Sequence, residues 1–117
     1  MKYRLVLITK NQKSLDKGER FAALIGEILN NQEGYKIEKY PKFDNAYRIE
    51  FLGEILDQAK PIESSIELTD RICSPWTVTY KREENVVELL LNTSALTSFR
   101  RNEFNVLHWA EFVLENK

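Results

Sequence analysis

The segment SLDKGERFAALIGEILNNQEGYKIEKYPKFDNAYRIEF, residues 14–51, decides the fold class. In its first half Phe21, Leu24, Ile25, Ile28 and Leu29 recur at helical spacing, which predicts a helix over Leu15–Asn31 with one face in the core. Ser14 or Asp16 can cap its start, and Asp16 with Glu19 resembles a capping box. Gly34 stands where a residue of positive φ would end it. The period then changes to two. Tyr35 and Ile37 alternate with Lys36 and Glu38, and Tyr47, Ile49 and Phe51 alternate with Arg48 and Glu50. With Pro41–Asn45 as the connection, the pair predicts a hairpin of half-buried strands.

Outward from this segment the same grammar repeats. Tyr3–Thr9 is β-rich and nearly continuous in apolar character, as a well-covered strand requires. Downstream, Ile55, Ala59, Ile62, Ile66, Thr69 and Cys73 fall at helical intervals, with Pro61 in their middle. Proline fits the first turn of a helix, so a second helix is expected from near Pro61 to just before Ser74-Pro75. Leu52–Ala59 reads as a strand end or a short helical turn. Trp76, Val78 and Tyr80 alternate, Lys81–Asn85 makes a charged turn, and Val86–Leu91 returns as a strand whose Leu89-Leu90-Leu91 run, apolar on both faces, suggests a central place in the sheet. A last helix is expected over Glu103–Glu115, with Phe104, Leu107, Ala110 and Leu114 on one face. The order β-α-β-β-α-β-β-α predicts an α+β domain over residues 1–117, a mainly antiparallel sheet of about five strands with helices packed against it.

Composition narrows the function classes. The chain has 117 residues, 43% hydrophobic and 30% charged, which suits a folded domain rather than a disordered one. Lys and Arg number 17 and Asp and Glu 18, so the basic surplus of a nucleic-acid binder is missing and no direct nucleic-acid contact is expected. One cysteine, Cys73, excludes an internal disulfide framework and fits a reducing compartment. The apolar run at the start stops at Thr9-Lys10, too short for a membrane span or a signal peptide. The expectation is a cytoplasmic protein with no membrane partner.

Chemistry-bearing motifs are few. His108 is the one histidine, with no second histidine to share a metal and no evident orienting partner as a base. Cys73 has only Arg71 close in sequence to activate it. The glycines form neither a phosphate loop nor a dinucleotide fingerprint. The reading is therefore no catalytic residue, no metal and no cofactor. Glu63, Glu67 and Asp70 fall at i, i+4 and i+7 and would line one side of the second helix. With Glu83 and Glu84 in the charged turn, they are the candidate partner-binding residues for a basic protein surface. Arg100 and Arg101 beside Phe99 and Phe104 could instead grip RNA in an accessory role. A small-ligand site or an enzyme built from scattered residues, around His108, Cys73 and the strand tyrosines, is the other alternative.

The run Thr69-Asp70-Arg71-Ile72-Cys73-Ser74-Pro75-Trp76, the charged hairpin after it, and Phe99-Arg100-Arg101-Asn102-Glu103-Phe104-Asn105-Val106 resemble small bacterial proteins. Some of those serve as immunity proteins beside polymorphic toxins, including toxins of contact-dependent growth inhibition systems. The resemblance covers roughly Ile66–Leu114. It implies a cytosolic protein that neutralises one cognate toxin domain, often a nuclease, by stoichiometric binding. Such proteins differ in fold, so it carries over no site residue.

Overall fold

A computed structural model describes residues 1–56 and 59–116. Its elements run β1 (Lys2–Thr9), α1 (Leu15–Leu29), β2 (Tyr35–Lys39), β3 (Tyr47–Glu54), α2 (Pro61–Asp70), β4 (Cys73–Ser74), β5 (Thr77–Lys81), β6 (Val86–Asn92), β7 (Ser98–Phe99) and β8 (Leu107–Glu115), with a 3-10 turn over Asn102–Val106. Among the described residues, six strands form one sheet in the order β2-β3-β1-β8-β6-β5, and β4 pairs with β7 apart from it. Every neighbouring pair is antiparallel. The class is α+β, as the periodicity predicts.

β1 is central because it is apolar on both faces. Leu5, Val6, Leu7 and Ile8 are all buried. Leu5 stands between Phe51 and Phe112, and Leu7 between Ile49 and Ala110, so one row after another of the sheet is closed by large side chains. The helices cover that face alone. α1 supplies Phe21, Ala22, Ile25 and Leu29, while Leu24 and Ile28 sit half-buried at its flanks. α2 turns Ser65, Leu68 and Thr69 inward. Its two buried hydroxyls are satisfied within the helix: Ser65 Oγ donates to the Pro61 carbonyl at 2.7 Å and Thr69 Oγ1 to that of Ser65 at 2.9 Å.

Local signals account for most element ends. Ser14 caps α1, its hydroxyl accepting from the Lys17 N–H at 3.3 Å. The left-handed residue that stops the helix is Asn30, at φ 53°, rather than Gly34, whose φ of 82° serves the following loop. Pro61 opens α2 as expected, but the helix stops at Asp70 and Cys73–Ser74 is strand β4, so it falls short of the end expected just before Ser74-Pro75. β3 runs to Glu54, so the start of Leu52–Ala59 is strand, while positions 57 and 58 of that stretch lie outside the described residues.

The last helix expected over Glu103–Glu115 is a correction: Leu107–Glu115 is strand β8, paired with β1 and β6. Between Ile8 and Thr9 the register shifts, so that Thr9 faces Leu107 while Ile8 faces Trp109, and His108 is the extra residue of a bulge. The bulge moves the inward set from odd to even positions. Leu107, Ala110, Phe112 and Leu114 then share one face, and a broken two-residue period resembles a helical one. The observed order is thus β-α-β-β-α followed by strands only, with six strands in the sheet instead of about five.

Candidate functional site

The acidic residues singled out in the sequence divide between two places. Glu63 and Glu67 are exposed on α2, and each already faces a cation: Lys60 at 3.8 Å and Arg71 at 3.0 Å. Asp70 is half-buried at the helix end, where its carbonyl accepts from Arg100 Nε at 2.6 Å. Glu83 and Glu84 are exposed in the turn between β5 and β6, on a separate element. Arg100 is held at that carbonyl, Phe99 is half-buried against the core, and Phe104 is fully buried, so Phe104 offers no stacking platform. Cys73 is also fully buried. Burial first, and Asp70 second, push its thiol up to about 12, against a smaller opposite pull from Arg100.

What the sequence reading missed is the other side of the sheet. The face away from the helices carries no covering element among the described residues. Its floor is apolar, with Val6 and Ile8 buried, Trp109 and Val113 half-buried, and Leu52 and Leu90 at 45% and 38% exposure. Ion pairs are threaded through it. Arg48 contacts Glu50 at 3.1 Å and Glu38 at 3.7 Å, Arg4 contacts Glu111 at 3.7 Å, and Lys81 contacts Glu88 at 3.0 Å.

At one corner this face becomes a recess of about 290 Å³ lined by Ile8, Tyr40, Lys42, Phe43, His108 and Trp109. Two devices build it. The β2–β3 connection folds back on itself, with the Tyr40 N–H bonded to the Ala46 carbonyl at 2.9 Å and Asn45 in the left-handed region at φ 55°. The β8 bulge brings His108 to meet the connection, so that the His108 and Phe43 rings stand edge to face, 5.2 Å between centroids. Tyr40 and Phe43 are 5.8 Å apart. The His108 carbonyl accepts from Thr93 Oγ1 at 2.9 Å, which anchors the bulge. Phe43 remains 47% exposed. In the sequence, Pro41–Asn45 carried only a turn signal, and His108 fell on an expected helix, so nothing linked them.

Among the described residues no group of three or more His, Cys, Asp or Glu side chains could hold a metal ion. No described helix is long and apolar enough to cross a membrane. No family model, no curated protein and no solved structure matches the chain.

Proposed function

We propose that this chain is a binding protein that captures a partner protein domain in stoichiometric fashion across the open face of its sheet. The partner is the toxin domain that the immunity-protein resemblance implies. The observation that carries the reading is the recess at Phe43, His108 and Trp109, set in a face that mixes exposed apolar side chains with paired charges. Aromatic and arginine side chains of this kind dominate binding hot spots. The recess lies at the low end of small-ligand cavities, roughly 300–1,000 Å³, and suits an inserted side chain of a partner.

The open face is preferred over the acids of α2 on two grounds. Glu63 and Glu67 already have cationic neighbours, which weakens the field they offer a basic partner. α2 also lies on the opposite side of the sheet from Trp109, so Glu63, Glu67 and Asp70 cannot join the same contact surface. The small-ligand alternative keeps one supporting observation, that Tyr40 and His108 line a single recess.

Co-expression with the product of the adjacent gene, followed by calorimetry and growth rescue, tests the proposal. The expected result is a one-to-one complex that Phe43→Ala and Trp109→Ala each weaken by about 2 kcal/mol, roughly thirtyfold. No complex and no rescue would overturn the toxin-binding reading. A complex sensitive instead to charge reversal at Glu63, Glu67 and Asp70 would move the surface to α2.

A further inference from the structure

The two edges of the sheet are built differently. β2 is charged at Lys36, Glu38 and Lys39, and its register places Lys39 on the helix side with Ile37. Inward-pointing charge of this sort discourages pairing with another strand. β5 has no such guard. Its sequence is Thr77-Val78-Thr79-Tyr80-Lys81, strong strand formers with one charge at the end, and that charge is bonded to Glu88 at 3.0 Å.

The side chains of β5 are also incompletely covered. Val78 is paired with Leu89 and Tyr80 with Val87, and both partners are fully buried in the core. Val78 and Tyr80 themselves are 39% exposed each, because α2 packs over β6 and β8. An edge with unpaired backbone groups and uncovered apolar side chains on the core side is a template for one more strand.

We infer that β5 pairs with β5 of a second copy of this chain, antiparallel, about a two-fold axis at Thr79. The geometry selects that register. A two-fold axis normal to a sheet keeps each side chain on its own face, so it must pass at a residue, and Thr79 is the middle of the five. Thr79 then meets its own counterpart, Val78 meets Tyr80 twice, and Thr77 meets Lys81 twice. These are a Thr–Thr pair and two aromatic–β-branched pairs, with no like charges opposed. A partner of this chemistry is the chain itself. The contact is independent of the open-face proposal.

A five-residue edge is small against the ~1,000 Å² expected of a stable interface, so the association is read over a concentration series. Sedimentation velocity of the purified chain is expected to show a reversible monomer–dimer equilibrium. Thr79→Lys sets like charges opposite each other at the axis, while within the chain it faces Glu88 and gains a partner. Its dimer dissociation constant is expected to rise about tenfold or more, with the thermal midpoint of unfolding held or raised. Mixing Thr79→Lys with Thr79→Glu is expected to yield a heterodimer tighter than either homodimer. A wild-type chain that stays monomeric throughout, a dimer indifferent to Thr79→Lys, or a mixture without preferential pairing would each overturn the inference.

Discussion

Gly53 and Tyr3 show how far a single side chain can be committed. They face each other across β3 and β1, and a Cβ built at Gly53 would collide with the Tyr3 ring. With the glycine in place, the ring passes close over it, stacks on Phe112 at 5.3 Å, and its hydroxyl accepts from Asn31 Nδ2 at 2.9 Å. Gly53→Ala must displace the ring from both contacts, an overpacking change expected to destabilise by about 1–3 kcal/mol in urea unfolding. Nothing in the sequence marks this glycine, because its need arises from a residue fifty positions away. Cys73 carries a second residue-scale consequence. Its thiol is pushed up from an ordinary 9.0 to about 12, chiefly by burial. Below pH 9 neither state ionises and the full stability is present. Above it the unfolded chain loses a proton that the folded chain retains, so stability falls as pH climbs toward 12. Urea midpoints measured from pH 7 to 10.5 are expected to decline more steeply for wild type than for Cys73→Ala.

At the scale of elements, α1 and β8 show what makes a pattern legible. α1 carries its own evidence: a capping serine, an uninterrupted helical period and a left-handed asparagine at the end. Its buried face is Phe21, Ala22, Ile25 and Leu29, so Ile25→Ala is expected to cost about 2–5 kcal/mol. Half-buried Leu24→Ala should cost less than Ile25→Ala, and Ser14→Ala about 1 kcal/mol through the lost cap. Equal losses at Ile25 and Leu24 in denaturant titrations would mean that the helix faces the sheet at a different angle. β8 carries no comparable local evidence. Its identity comes from the two strands beside it, and the bulge at His108 disguises the alternation that would have revealed it. Local rules suffice where an element is specified by its own residues; they fail where its partners and an irregularity specify it.

At the scale of the whole molecule, the proposed function assigns stability to one side of the sheet and recognition to the other. The helix side is filled by fully buried residues such as Leu5, Leu7, Phe51, Phe112 and Leu114, and the other side is left to solvent with its aromatic corner. The acids on α2 were visible in the sequence because a helical period exposes them. The corner was not, since Tyr40, Phe43, His108 and Trp109 converge only after β1, β3 and β8 assemble. The separation has a measurable form. Phe43→Ala removes a half-exposed ring and should shift stability by less than about 1 kcal/mol, in the range of ordinary surface changes. The same change should cost roughly thirtyfold in affinity for the captured domain. Ile25→Ala should do the reverse, lowering the unfolding midpoint while the folded fraction binds with unchanged affinity. Reversing Glu63, Glu67 and Asp70 together should leave the dissociation rate unaltered, because α2 faces away from the corner. Calorimetry paired with urea titration on these variants reads both quantities from the same preparations. Should Phe43→Ala and Ile25→Ala lose affinity only in proportion to their lost stability, the open face would have no share in recognition, and the acids of α2 would become the surface to pursue.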